Sequence, residues 1–296
     1  MKPVQLSQLV DMYSPEAVLE EVKNIFIGWY PVGEFGDVRE VFGDFRRLYS
    51  GAYPGYCACS TRYHDEMHIT DSFLAMARLL DGYNAVHAKM PLRPAKLGLI
   101  SALLHDTGFI QSVRDRKGTG AKYTLTHVER SVSFIRAYFQ GKHFGKDASR
   151  IAANALLATD LCVPVEKIRF RTRLEKIIGM MLGSADLLGQ MASRCYLERL
   201  PFLYGEFREG RVPGYSSELE LIVKTLRFSE LMDRRLAVTL ENVARYARFH
   251  FKRKYRVDRD LYRDSIRGQI NYLKVKVLRS PRGYQKFLRR ARKGKV

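Results

Sequence analysis

No run of about eighteen consecutive apolar residues occurs in the 296-residue chain, which excludes a membrane-spanning helix. The N-terminus lacks a basic-then-apolar segment, so export by a cleaved signal is not expected. Cysteine is scarce as well. Cys57, Cys59, Cys162 and Cys195 do not make a disulfide framework, and Cys57-Ala-Cys59 has no second pair to complete a thiolate zinc site. These absences predict a reduced, cytoplasmic protein. Alternating strand patterns are nearly missing, and no internal repeat or heptad run is present. What is there suits an all-α fold. A hydrophobic share of 46%, with 17 Tyr and 16 Phe, supplies a substantial core for one large domain or two modest ones.

The net charge of +20 is unevenly spread. Residues 242–296 hold 19 Lys or Arg against three Asp, whereas the preceding 241 residues hold 32 basic against 28 acidic. A field of that kind suits polyanions such as nucleic acid, an anionic bilayer surface or an acidic chain, or else a plain solvated face. Tyr246, Tyr255, Tyr262, Tyr272 and Tyr284 interleave with its arginines as base-stacking candidates. Some of them must serve the core, because Val243, Tyr246, Ala247 and Phe251, then Leu261, Ile266, Ile270 and Leu273, form stripes that need burial. The expected contact is weak and sequence-indifferent.

Along the chain, Ser14-Pro15-Glu16 offers an N-cap and a proline at the first helical position, and Val18, Leu19, Val22, Ile25 and Phe26 complete a helix within residues 1–29. A short helix is expected over about 38–48. Gly51, Pro54 and Gly55 then mark a tyrosine-rich loop. Further helices are expected over 64–80, 95–106, from His127 capped by Thr126, over 148–160, and over 173–199 as one helix or a pair. Gly205, Gly210, Pro213 and Gly214 mark the clearest linker. A long helix with at most one break follows over 217–254, then another over 259–279. We divide the chain into an N-terminal segment, 1–60, packed on the core; a metal-binding core, 61–200; and a C-terminal extension, 201–296, strongly basic from 242.

The chemistry gathers around YHDEMHITD, residues 63–71. On a helix His64, His68 and Asp71 would share one face. Downstream stand His105 and Asp106 in ALLHDTG, His127, and Asp186 in GSADLLGQM. Imidazole and carboxylate donors suit Mn, Fe, Zn, Co, Ni or Mg, held as one or two divalent ions. Four ligands from separate helices would be His68, His105, Asp106 and Asp186. Asp106 has two oxygens with which to bridge two ions, and metal lowers the pKa of water. His64 would then lie outside the ligand set, placed to protonate a leaving oxygen. Each residue also has an ordinary reading. His68 can be a hydrogen-bonded, partly buried histidine, and Asp186 an anchor or a residue on the wet side of its helix. Asp106 follows the apolar run Leu99–Leu104, so its charge needs compensation if buried. Arg114, Arg116, Lys117 and Lys122 fall in a polar segment, 111–124, that is either a phosphate-gathering loop or a solvated one.

His68, His105-Asp106 and Asp186 resemble the H…HD…D signature of the HD-domain metal-dependent phosphohydrolase superfamily, and ALLHDTG is similar to its central motif. YHDEMHITD looks like the segment of cyclic-nucleotide phosphodiesterases that carries the proton-donating histidine and the first metal histidine. The resemblance covers roughly residues 60–200. It implies an HD-domain, phosphodiesterase-like helical bundle that binds metal through His68, His105, Asp106 and Asp186, with His64 as general acid. It leaves His127 to contact a second ion or a substrate phosphate. Asp160 in LATD, like Asp71, would stand behind the ligands and hold a histidine or water. The implied activity is hydrolysis of a nucleotide-like phosphodiester by a metal-activated water. The alternatives are a nucleotidase or nucleoside triphosphate hydrolase, and a nucleotide- or nucleic-acid-binding protein of the same fold without turnover. No counterpart is found of the glutamine and phenylalanine with which eukaryotic-type phosphodiesterases grip the base.

Overall fold

Helix α3, Glu66–Asn84, is buried along its whole length except at Glu66, Met67 and Tyr83, and the other helices are arranged around it. The computed structural model describes residues 4–142, 144–145 and 147–288. Residues 289–296, the end of the basic segment expected to meet polyanions, lie outside the described residues. The architecture is an all-α helical bundle. Among the described residues the one β contact is an isolated antiparallel bridge between Tyr56 and Ser112.

Before α3 come α1, Pro15–Ile27, and α2, Gly36–Ser50. The Ser14 hydroxyl caps α1 by accepting from the Ala17 N–H, and the stripe of Val18, Val22, Ile25 and Phe26 is buried. After α3 follow α4, Leu92–Leu104; α5, His127–Gln140; α6, Ala148–Leu157; α7, Arg173–Ala192; and α8, Tyr196–Glu209. The stretch expected as one helix or a pair is thus a pair. Gly205, expected in a linker, is inside α8. Then come α9, Glu218–Arg234; α10, Tyr246–Tyr255; and α11, Leu261–Tyr272. The break expected within 217–254 falls at Glu241 and Asn242, both with positive φ, after a π-helical turn at Arg235–Thr239.

Helix α3 packs against α7, α10, α1 and α4. That setting explains why its apolar residues do not form a single stripe: every face meets another helix. Helix α10 lies close because residue 82 is glycine. A Cβ there would stand 1.8 Å from the Tyr246 carbonyl oxygen. Beside this crossing Asp81, fully buried, accepts from Trp29 Nε1 at 2.7 Å and His250 Nδ1 at 2.7 Å, and pairs with Arg253. Burial pushes the His250 imidazole down to about 4, so the ring is neutral and donates its Nδ1 proton. Asp81→Ala leaves a buried indole N–H, an imidazole N–H and a half-exposed guanidinium without their acceptor. We expect it to lower unfolding free energy by about 3 kcal/mol, read as a shift of the urea midpoint. A loss below about 1 kcal/mol would mean that solvent already screens this network.

The basic helices α10 and α11 are therefore part of the packed body. Their charges are largely paired: Arg248 and Lys252 with Asp258, Lys254 with Glu21, and Arg263 with Asp260. The tyrosines weighed as stacking platforms do other work. Tyr246, Tyr262 and Tyr284 are buried, while Tyr255 donates to Glu21 and Tyr272 to the Phe287 carbonyl. No described helix is long and apolar enough to cross a membrane.

Candidate metal centre

The expectation that His64 lies on the same helix as His68 is not met. Asp65 is the N-cap of α3, its carboxylate accepting from the His68 N–H at 3.1 Å, so the helix starts at Glu66 and His64 stands just before it. His68 is left in the first turn, buried and pointing its Nε2 at residues from two other helices. One is α4. Its apolar run stops at Leu104, and the chain turns through His105 and Asp106 into the tight turn Thr107–Phe109. Gly108 belongs to that turn because the backbone of His127 passes against it. A Cβ at Gly108 would lie 1.9 Å from the His127 carbonyl oxygen. The close approach brings the start of α5 to the cluster. Thr126 precedes α5 as expected but makes no side-chain cap there; its hydroxyl reaches back toward the Tyr123 carbonyl. The other helix is α7, which presents Asp186.

His68, His105 and Asp106 have donor atoms all within 4.8 Å of one another, and all three residues are buried. His68 Nε2 lies 3.1 Å from Asp106 Oδ2 and 3.2 Å from Asp186 Oδ1. His105 Nε2 lies 3.3 Å from His68 Nε2, 3.5 Å from Asp106 Oδ2 and 3.7 Å from Asp186 Oδ1. Donors placed at metal bond lengths of about 2.0–2.2 Å sit roughly 3–3.5 Å from each other, so these separations fit one shared cation. The histidine tautomer fits too. His105 Nδ1 donates to the Ala102 carbonyl at 2.9 Å, which leaves the Nε2 lone pair facing the cluster. Asp106 Oδ2 is buried without a well-formed hydrogen bond, its neighbours being the Nε2 atoms of His68 and His105, a costly state for a carboxylate oxygen unless a positive charge compensates it.

Electrostatics follows the same geometry. Burial raises the Asp106 carboxyl, but the His105 and His68 imidazoles outweigh it and hold it well below the usual carboxylate range. Asp186 is likewise depressed against its burial by the same two rings. Burial opposes protonation of His68, yet the two carboxylates push it up to about 10. His68 would have to be neutral to ligate a divalent ion through Nε2.

His127 Nε2 stands 3.7 Å from Asp106 Oδ1, the oxygen turned away from His68. Its Nδ1 donates to the Thr124 carbonyl at 2.7 Å, so Nε2 presents a lone pair. The two oxygens of Asp106 thus face different nitrogen sets. His64 lines the same cleft. Its Nδ1 is held at 2.6 Å by Glu206 Oε2 of α8, while Glu206 Oε1 accepts from the N–H groups of Arg62 and Tyr63. The Phe109 ring is sandwiched between His64 and His127, with centroids 4.3 and 4.5 Å away.

Of the other expected site residues, Asp160 reaches the cleft that His64, His68 and His127 line, whereas Asp71, Arg114, Arg116, Lys117 and Lys122 do not line it. Asp71 is buried on α3, where it lines a separate cavity of about 410 Å³ near the N-terminal segment and a small void shared with His68, and Arg199 is the charge that does most to offset its burial. None of His68, His105 and Asp106 lines the larger cavity, whereas His68 and Asp106 line a cleft of about 300 Å³. Asp160 lines the rim of the histidine cleft, where its Oδ1 accepts from the Cys162 N–H. Arg114, Arg116, Lys117 and Lys122 do not line that cleft. Their segment is tied to itself: Arg116 donates to the Val113 carbonyl, Lys122 pairs with Asp115, and the buried Gln111 amide donates to the Asp115 carbonyl. Glu206 and Phe109 escaped sequence reasoning. Nothing in YGEFREG marks Glu206 as a partner of His64, 142 residues away.

Residues 112–222 match the Npun_R2479-like family model. The match covers less than half of the chain; it includes His127, Asp160, Asp186 and Glu206 and begins after Asp106. No curated protein and no solved structure matches the chain.

Proposed function

We propose that the protein is a metal-dependent phosphohydrolase of the HD type, with residues 61–200 as its metal-binding core and 201–296 as an extension that completes the cleft. The observation that carries this reading is the convergence of His68, His105 and Asp106, with Asp186 against both imidazoles. These four side chains would hold one divalent cation, and Asp106 Oδ1 with His127 faces a second position. A cation there would polarise a phosphoryl oxygen and lower the pKa of water.

The chain's own residues supply the rest. Asp106 and Asp186 neutralise the cation's charge and so draw a phosphate ester to one face of it. Glu206 accepts the Nδ1 proton of His64, which leaves Nε2 for the cleft, and its charge compensates the ring whenever Nε2 is protonated. Phe109 keeps the His64 ring plane from rotating. In the balanced reaction the oxygen of water bonds to phosphorus and one of its protons goes to solvent, the ester P–O bond breaks, and the leaving oxygen takes a proton from His64 that solvent then replaces. A placed acid of this kind favours diesters and other esters with poor leaving groups. The narrower expectation of a nucleotide-like diester draws on the likeness of residues 63–71 to cyclic-nucleotide phosphodiesterases.

The reading is tested by metal analysis and turnover together. Protein purified without chelator is expected to hold stoichiometric transition metal and to hydrolyse bis(p-nitrophenyl) phosphate after loading with Mn, Fe, Co, Ni, Zn or Mg. Chelation should stop turnover and re-addition restore it. A protein that neither retains nor takes up any of these ions would sink the proposal.

A further inference from the structure

The cleft that holds the histidines has two unlike ends. One carries His64, His68, Asp106, His127 and Asp186. The other is mostly apolar, with Leu203 and Phe207 from α8, Leu221 and Phe228 from α9, and Leu125 and Leu161 at the rim, although Lys224 and Thr225 of α9 line it too. Leu125 and Leu161, 65% and 48% exposed, extend this apolar lining to the mouth of the cleft.

Charge is missing where a polyanion would need it. Among the described residues that line the cleft, Lys224 is the one Lys or Arg, and its Nζ is committed to Glu220 and the Gly214 carbonyl, both at 2.6 Å. Gln190, the cleft amide that could read a base edge, is already oriented at both ends: it accepts from the Tyr63 hydroxyl and donates to Asp186 Oδ1. A nucleoside polyphosphate would therefore set charge and unmet donors against leucine and phenylalanine, which costs free energy. A hydrocarbon group would gain it.

We infer, resting on the phosphohydrolase reading, that the substrate is an amphiphilic phosphate ester, with its phosphoryl group at the histidine–aspartate cluster and its alkyl or aryl group between α8 and α9. Water's oxygen bonds to phosphorus and the bond to the ester oxygen breaks. In a diester the oxygen that carries the docked alkyl group stays on phosphorus and the other ester oxygen leaves. It departs as an alcohol with a proton from His64 or, from an activated aryl ester, as the phenolate, and the attacking water gives up one proton to solvent. No oxidant, reductant or further reactant is needed.

The experiment uses the full-length, metal-loaded protein and a series of alkyl p-nitrophenyl phosphates, methyl through octyl, below their micelle concentrations. Each buried methylene should raise kcat/KM about fourfold until the cleft is filled, and 3′,5′-cyclic AMP should be a poorer substrate than the octyl ester. Leu125→Asp and Leu161→Asp, both at exposed positions that tolerate charge, should lower the octyl-to-methyl ratio. Calorimetry with octylphosphonate against methylphosphonate gives the same comparison without turnover. Hydrolysis with a flat chain-length profile overturns the amphiphile and leaves the phosphohydrolase standing. No hydrolysis of any ester overturns the phosphohydrolase, and equal binding of the two phosphonates then overturns the apolar ligand as well. Preference for the octyl member in either assay supports it.

Discussion

Asp106→Ala is expected to strip the protein of divalent metal and of phosphoester hydrolysis in the same preparation. The reason lies in the two oxygens. Oδ2 faces His68 at 3.1 Å and His105 at 3.5 Å, while Oδ1 faces His127 at 3.7 Å. One substitution therefore removes a donor from both nitrogen sets and takes away one of two carboxylates that balance a dication. Losing a residue that merely supports a metal ligand costs about 10–100-fold in affinity or activity, and the loss here should exceed that. Because a buried alanine in place of a paired carboxylate could also unsettle the fold, Asp106→Asn serves as the second variant: it keeps the volume and removes the charge. Both are checked by elemental analysis after dialysis, by circular dichroism and by turnover. A folded Asp106→Asn protein with wild-type metal content and rate would reject Asp106 as a ligand.

His64→Ala should do the opposite to metal and nearly the same to turnover. The ring is outside the cluster, so the ion should stay. Hydrolysis of an ester with an alkoxide leaving group should fall about 10²–10⁴-fold, the usual worth of a placed general acid. A p-nitrophenolate leaving group needs little protonation, so the loss on that ester should be far smaller. Glu206→Gln should show the same contrast in weaker form, near 10-fold, because Glu206 acts through His64 and removes only the charge at Nδ1. The leaving-group contrast separates this role from a structural one, since Glu206 also binds the Arg62 and Tyr63 amides. Equal losses on both esters, in either variant, would reject the proton-donor assignment.

The all-α character was legible because helix signals are local: the Ser14-Pro15 start, the stripe Val18–Phe26 and the near absence of alternation each involve neighbours in sequence. The candidate ligands were legible for a chemical reason. A charged pair such as His105-Asp106 at the end of an apolar run has to be compensated if buried, and the structure buries both beside His68. The helix start differs from the expected one at His64 because a four-residue His64–His68 spacing looks helical on either side of a boundary, and the Asp65 carboxylate that accepts the His68 N–H settles where the helix begins.

Tertiary structure alone decided the rest. It pairs His64 with Glu206 across 142 residues, puts Phe109 between two imidazoles, and turns the 111–124 cations away from the cleft onto their own loop. It also spends the C-terminal tyrosines on packing and builds an apolar wall from α8 and α9 next to the metal ligands. Composition and periodicity say which residues must be buried or charged. They do not say which of them meet, because that depends on how helices far apart in sequence cross, and here the crossings are set by close approaches such as Gly82 on Tyr246 and Gly108 on His127.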